Sequence, residues 1–185
     1  MRTFIAIDLS PEIKDNLVTL VDRLKPLGRN VKWVTKENYH LTLKFLGEIS
    51  ESEVAEVKNT LAEIASRHHP FNLLLKGAGS FPPGSSRMRI VWAGIASGDE
   101  LLSLEKEIET GLEKKGFPKE DRPFSPHLTI GRVKMPEKQE KLASELTRNN
   151  QLELGSMVVR EITFFQSILH PQGPEYRVIS RHLLS

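Results

Sequence analysis

Apolar side chains recur along this chain with two periods, one typical of amphipathic helices and one typical of half-buried strands. After Ser10 and again after Ser50, every third or fourth residue is apolar, and both serines stand where a helix cap is expected. Elsewhere apolar and polar residues alternate, which predicts strands with one face in a core. The predicted strands span 3–9, 31–34 paired with 40–46, 71–75, 89–92, 152–169 and 176–183, a turn-rich stretch spans 77–86, and the predicted helices begin near 11, 51, 99 and 136.

One strand pattern occurs twice. His40-Leu41-Thr42-Leu43 returns 87 positions later, at residue 127 instead of residue 40, as His127-Leu128-Thr129-Ile130. Because successive side chains of a strand point to opposite faces, each copy places a histidine and a threonine on one face and apolar residues on the other. The same alternation puts Phe45 on the core side and Lys44 on the polar side, beside His40 and Thr42.

The same offset relates segments far from the histidines. Residues 2–7 match 89–94, residues 71–79 match 158–166, and residues 89–96 match 176–183. Chance similarity of two amphipathic strands explains one His-Thr pair but does not explain a common offset. The sequence therefore predicts a mixed helix and strand structure built twice, in which strand, helix, His-Thr strand, helix and two further strands follow one another in each half.

Composition limits the remaining possibilities. A chain of 185 residues is long enough for one domain with a real core, and we expect residues 1–185 to form a single domain. The net charge of +2 excludes a strongly basic arm, so any anion binding must be local. The absence of cysteine excludes disulfides and thiolate nucleophiles. No apolar run approaches the roughly 20 residues of a membrane span, and no signal-peptide pattern opens the chain, so we expect a cytoplasmic protein.

The repeated polar faces suggest acid and base chemistry. Unperturbed histidine has a pKa of about 6.5, so neutral and protonated imidazoles coexist near neutral pH and one ring can donate a proton while the other accepts one. The hydroxyls of Thr42 and Thr129 add two hydrogen-bond donors on the same faces.

These motifs carry a resemblance to a known family. Residues 40–47, His-Leu-Thr-Leu-Lys-Phe-Leu-Gly, and residues 125–132, Ser-Pro-His-Leu-Thr-Ile-Gly-Arg, resemble the paired motifs of the two-histidine (2H) phosphoesterases. Within that superfamily the chain is similar to the bacterial and archaeal RNA 2′,3′-cyclic phosphodiesterases, historically called 2′-5′ RNA ligases. The resemblance implies an α+β fold of two intertwined, pseudo-twofold lobes, with antiparallel sheets facing a central cleft and helices on the outside.

The resemblance also implies an activity, the hydrolysis of RNA 2′,3′-cyclic phosphate ends to 2′-phosphomonoesters. It makes His40 the proton donor to the 3′-oxygen and His127 the base that activates water, although the symmetry of the sequence does not decide between them. Thr42 and Thr129 would donate hydrogen bonds to the non-bridging oxygens, where charge must be accommodated.

Two further residues are expected to contact the substrate. Arg132 can bind phosphate, but its position along the strand has the wrong parity for the face of His127. It would need a bulge or a strand end at Gly131 to turn inward, and the resemblance supports that placement. Lys44 shares the predicted face of His40 and is either a neighbour of the phosphate or a solvated side chain.

The predicted partner is RNA with a 2′,3′-cyclic phosphate end, bound by a monomer that needs no metal and no other cofactor. Two alternatives remain open. The same residues also serve the reverse reaction, ATP-independent 2′-5′ joining of RNA, and the scaffold without catalysis would be an RNA-end binding module.

Several other residue types have two interpretations. The aromatic residues either stack on bases or pack in a core, and we expect the core for Phe45 and Trp92. The four remaining histidines are expected at the surface. Four arginines on or near predicted strands either line a path for RNA or are surface charges. These residues are Trp33, Tyr39, Phe45 and Trp92; His68, His69, His170 and His182; and Arg87, Arg89, Arg160 and Arg177.

Overall fold

The computed structural model describes residues 1–135 and 137–185, and this part of the chain forms four α-helices and nine β-strands. In chain order the elements are β1 (Arg2–Asp8), α1 (Pro11–Leu24), β2 (Val31–Trp33), β3 (His40–Glu48), α2 (Glu51–Ala65), β4 (Phe71–Phe81), β5 (Ile90–Ser97), α3 (Asp99–Glu113), β6 (His127–Val133), α4 (Glu140–Arg148), β7 (Glu153–Val159), β8 (Glu161–His170) and β9 (Gly173–Leu183).

The first two helices begin where their caps predict. The Ser10 hydroxyl accepts a hydrogen bond from the backbone N–H of Ile13, and Pro11 occupies the first helical position, where its missing N–H costs nothing. Ser50 and Glu53 form a reciprocal capping box at the start of α2. The predicted helix starts at residues 11 and 51 are therefore confirmed.

The strands form two antiparallel sheets with the orders β3-β1-β8-β9 and β2-β6-β5-β4-β7. The expected pairing of 31–34 with 40–46 is wrong, since β2 pairs with β6 and β3 pairs with β1. A turn of 3₁₀ helix at Lys36–Asn38 separates the two strands and sends the chain from one sheet to the other. Gly131 admits β2 because a Cβ there would lie 2.9 Å from the side chains of Trp33 and Val31.

Other boundaries differ from the sequence-based expectation. The predicted strand 152–169 divides at Arg160 into β7 and β8, which belong to different sheets. Strand β4 continues to Phe81, so the stretch predicted to be turn-rich begins as strand. The helix predicted from 136 begins at Glu140, and position 136 itself lies outside the described residues.

The helices cover one side of each sheet. Helices α1 and α4 contact β7 and β4 of one sheet, while α2 and α3 contact β8, β9 and β3 of the other. Their apolar stripes pack against the apolar faces of the strands, where residues such as Leu41 and Leu128 are almost fully buried. The opposite strand faces, which carry the His-Thr pairs, border a cleft. The predicted α+β class with antiparallel sheets is confirmed.

The two sheets mix strands from the two halves of the chain. In one sheet β3 and β1 are followed by β8, and in the other β6 and β5 are followed in corresponding order by β4. The larger of two hydrophobic core clusters in the described residues also contains residues from both halves. These features support our proposal that residues 1–185 are one domain made of two intertwined, pseudo-symmetric lobes.

Candidate active site

A cleft of about 1010 Å³ receives side chains from both His-Thr strands. His40 and Thr42 reach it from β3, and His127, Thr129 and Arg132 reach it from β6. The two strands belong to different sheets but lie close together. Residues 87 positions apart in sequence therefore meet at one site, whose size suits a small ligand.

Each His-Thr strand contains a bulge at the same relative position. Along β1 the strand partners pass from Thr42 directly to Lys44, which leaves Leu43 as the extra residue. Along β5 they pass from Thr129 to Gly131, which leaves Ile130 as the extra residue. A bulge shifts the alternation of side chains by one, so residues beyond it change face.

The bulge in β6 confirms the condition set for Arg132. The side chain is exposed and lines the cleft together with His127 and Thr129, although simple alternation would point it away. The bulge in β3 reverses the faces that were expected for Lys44 and Phe45. Phe45 was expected in the core and instead lies on the cleft side with 57% of its surface exposed.

Lys44 is turned into the protein, so the expectation that it shares the solvated face of His40 is wrong. Its ammonium donates to Glu109 Oε1 at 2.6 Å and to the carbonyl oxygen of Pro118 at 2.9 Å, and the residue is 2% exposed. The second oxygen of Glu109 accepts from the backbone N–H of Glu120 at 3.2 Å. Lys44 therefore ties β3 to α3 and to the segment that leads into β6.

His40 lies among aromatic rings that lower its pKa. Its ring centroid is 4.8 Å from that of Phe4 and 5.0 Å from that of Tyr176, which meets it edge-on. Burial lowers the pKa of His40 from 6.5 to about 4, and the opposing charge of Asp8 offsets only part of this effect. In the free protein His40 is therefore neutral at pH 7.

This lowered pKa makes the fold sensitive to acid. Unfolded His40 takes up a proton near pH 6.5 and folded His40 only near pH 4, so the free energy of unfolding should fall as the pH drops between those values. We expect a loss of about 3 kcal/mol at most across that window. Urea unfolding of the wild type and of His40→Gln at several pH values measures the free energy of unfolding. The variant should lack the part of its pH dependence that comes from His40. Parallel pH curves for the two proteins would contradict the prediction.

His127 is oriented by the backbone. Its Nδ1 lies 2.7 Å from the carbonyl oxygen of Ser125, and because a carbonyl only accepts hydrogen bonds, Nδ1 carries the proton. The neutral ring then has its lone pair on Nε2. Phe81 packs edge-on against the ring at 5.3 Å. This arrangement leaves Nε2 as the nitrogen able to take up a proton.

Sequence reasoning missed two cations of the cleft, Lys32 and Arg122. Lys32 is the cross-strand partner of Arg132, which places two positive charges side by side at the edge of one sheet. The sequence placed Lys32 in a short strand, but the expected partner of that strand was wrong, so the position of Lys32 beside Arg132 was not predicted.

Glu105 and Glu120 also border the cleft, and burial together with the charge of Glu109 raises the pKa of Glu105.

The remaining candidates lie mostly outside the cleft. Tyr39 is buried in the core, whereas Trp33 lines the cleft. Trp92, expected in the core, is half-buried on the sheet face of Thr129, its cross-strand partner. His68 pairs with Glu107, and His170 reaches the cleft rim. The four arginines expected on or near strands do not line the described cleft, and only Arg177 lies within a strand; they are Arg87, Arg89, Arg160 and Arg177.

Within 1–135 and 137–185, no three His, Cys, Asp or Glu side chains are grouped as a metal site requires. In the same residues no helix has both the length and the apolar character needed to span a bilayer.

Comparisons with known proteins agree with the geometry. Residues 7–92 and 94–176 match a family model described as LigT like Phosphoesterase. The chain is 35% identical over 176 residues, 95% of each chain, to the RNA 2′,3′-cyclic phosphodiesterase of Methanothermobacter thermautotrophicus. It resembles the crystal structure of a Thermus thermophilus protein, TT0787, with a TM-score of 0.84 and 30% identity over 100% of this chain and 98% of that one. Escherichia coli LigT complexed with 3′-AMP gives a TM-score of 0.79 and 27% identity, again over 100% and 98%.

Proposed function

The chain belongs to the LigT-like phosphoesterases, and we propose that it opens the 2′,3′-cyclic phosphate at RNA ends to leave a 2′-phosphomonoester. This proposal rests on one observation: both His-Thr strands border the same cleft, and each contains a bulge at the same relative position. The likeness to a LigT protein that holds 3′-AMP supports a nucleotide as the ligand.

The proposed reaction needs a base on one side of the phosphorus and an acid on the other. Water attacks phosphorus while His127 takes its proton, and the bond to the 3′-oxygen breaks while His40 gives that oxygen a proton. The phosphate stays on the 2′-oxygen. The hydrogen bond to Ser125 supports the role of His127, because it fixes the proton on Nδ1 and leaves Nε2 free to accept one.

His40 needs a bound anion to act as the donor. Burial favours its neutral form in the free protein, whereas a phosphate beside the ring favours the imidazolium. Substrate binding and protonation of His40 are therefore coupled in this proposal. Thr42 and Thr129 donate hydrogen bonds to the non-bridging oxygens, and Arg132 adds a charge-assisted contact.

The scheme uses no metal ion, and chelation together with product analysis tests it. An oligonucleotide ending in a 2′,3′-cyclic phosphate is incubated with the protein in EDTA, and the product is compared by chromatography with authentic 2′- and 3′-phosphates. We expect full turnover and a 2′-phosphate. A loss of turnover that one divalent ion restores would refute the metal-free scheme. A 3′-phosphate product would show that the ribose binds in the opposite orientation.

The same experiment separates the alternatives. Supplying a second oligonucleotide with a free 5′-hydroxyl and no ATP tests 2′-5′ joining, in which that hydroxyl attacks phosphorus in place of water and loses its proton to the same base, while the 3′-oxygen leaves with a proton from the same acid. Binding of the cyclic end without any turnover would instead favour a non-catalytic RNA-end module. The monomeric state and the cytoplasmic location stay predictions.

A further inference from the structure

A buried ion pair joins the first His-Thr strand to the stretch of chain that leads into the second. Lys44 of β3 and Glu109 of α3 are both almost fully buried, and 2.6 Å separates Nζ from Oε1. Each partner makes one further hydrogen bond to residues 118–126. Nζ of Lys44 donates to the carbonyl oxygen of Pro118 at 2.9 Å, and Oε2 of Glu109 accepts from the backbone N–H of Glu120 at 3.2 Å.

These two hydrogen bonds hold a stretch of backbone that has little other support. Residues 118–126 form neither helix nor strand. In the described part of the chain, the backbone of residues 118–124 makes no other hydrogen bond to the protein. Phe124 packs against the hydrophobic core, but an apolar contact is non-directional and does not orient a carbonyl group. The path of this segment therefore depends on the ion pair.

The same segment ends at the group that orients His127. The carbonyl oxygen of Ser125 lies 2.7 Å from Nδ1 of the ring and so holds the proton there. Arg122, in the middle of the segment, lines the cleft. A displaced segment would withdraw both the carbonyl oxygen and the guanidinium. A misplacement of about 1 Å at a reacting group can cost about 100-fold in rate.

We propose that the Lys44–Glu109 ion pair positions His127 by fixing residues 118–126. This inference rests on the proposed function and adds to it two positioning residues that act through His127. An ion pair suits the task because Lys44 brings a hydrogen-bond donor and Glu109 an acceptor, which match the backbone carbonyl and N–H groups of the segment. Two apolar side chains would pack in the same place but would offer neither bond.

The second repeat uses the equivalent position differently. Gly131 lies 87 residues after Lys44 and, like Lys44, directly follows the extra residue of a bulge. Gly131 has no side chain, and this allows β2 to pack beside β6. Lys44 instead carries a long cationic side chain to α3 and to residues 118–126. The ion pair is therefore a feature of one half of the repeat, and it acts on the histidine of the other half.

A double variant separates positioning from stability. Replacing both partners of a buried ion pair with apolar side chains is often neutral or stabilising, whereas removing one partner leaves an uncompensated charge. We expect the double variant Lys44→Met with Glu109→Leu to keep about the wild-type urea midpoint and to lose both hydrogen bonds to the segment. Glu109→Gln is the second variant, because its amide has one accepting oxygen where the carboxylate has two.

The control reports a general loss of stability. Leu20→Ala removes a buried side chain from α1, a helix that packs on β7, and should lower the urea midpoint. It should leave the ring of His127 and the turnover number as they are in the wild type.

The first measurement identifies the ring nitrogen of His127 that carries the proton. Nitrogen-15 NMR of the imidazoles is recorded at about pH 9, well above the ordinary histidine pKa of about 6.5, and a His127→Gln spectrum assigns the signals. The hydrogen bond made by one ring nitrogen sets the tautomer. We expect Nδ1–H in the wild type and in Leu20→Ala, and a mixture of both tautomers in the double variant and in Glu109→Gln.

The second measurement is kcat for adenosine 2′,3′-cyclic phosphate, which should fall by about 10- to 100-fold in the double variant. An unchanged tautomer in both variants, or an unchanged kcat, would overturn the positioning role. An equal loss of kcat in Leu20→Ala would also overturn it, since stability alone would then explain the effect. The tautomer comparison involves no catalytic step, whereas absence of turnover by the wild type would refute the proposed function.

Discussion

Replacing either His40 or His127 with alanine should lower the rate of cyclic phosphate hydrolysis by about 10²- to 10⁴-fold, the contribution that a positioned acid or base usually makes. The two rings line one cleft from different sheets, and the proposed reaction needs both in the same transition state. Steady-state turnover of a labelled oligonucleotide measures the loss. The double variant should be little slower than the slower single variant, because groups that act as a unit are not additive.

A matched control separates this effect from a general loss of structure. His69 is an exposed histidine whose Nδ1 contacts the carbonyl oxygen of Ser185 and which does not line the cleft. His69→Ala should keep wild-type turnover. A variant at His40 or His127 with near wild-type turnover would refute the paired acid and base.

Replacing Thr42 or Thr129 with valine should reduce kcat by about 10²- to 10³-fold. Valine keeps the shape of threonine and removes only the hydroxyl, so the loss reports the hydrogen bond to a non-bridging oxygen, which usually contributes about 3–4 kcal/mol to the transition state. Because this bond strengthens as charge develops, kcat should change more than KM.

The serine variants and a distant threonine provide the controls for this second series. Thr42→Ser and Thr129→Ser retain the hydroxyl and should recover most of the activity. Thr147 is an exposed residue of α4 whose hydroxyl donates to the carbonyl oxygen of Ala143, and Thr147→Val should leave kcat unchanged. An unchanged kcat in both cleft valine variants would show that the threonines do not bind the developing charge.

The lowered pKa of His40 links stability and substrate binding at the same residue. Packing the ring against Phe4 and Tyr176 positions it but disfavours the charged form that the donor role requires. In the proposed mechanism an anionic substrate supplies the missing stabilisation, so the site becomes competent when the phosphate is bound. The free His40 ring therefore prefers its neutral form, as expected for an imidazole surrounded by aromatic side chains.

The sequence alone determined the elements whose cause is local. The caps at Ser10 and Ser50 set helix starts through hydrogen bonds that span three residues, and the alternation in 40–43 and 127–130 set which face carries His and Thr. The offset between the two copies indicated the repeated order of elements. These signals lie within one turn or one strand, so they can be read without knowing any partner.

Only the tertiary structure decided what depends on a partner strand. The bulge at Leu43 exists only in the register with β1, and it moved Phe45 to the cleft and Lys44 to a buried ion pair with Glu109. The pairing of β2 with β6, which brings Lys32 beside Arg132, joins residues about 100 positions apart in the chain. A single residue of register reverses every side chain beyond it, and the partner that fixes register lies outside the local pattern.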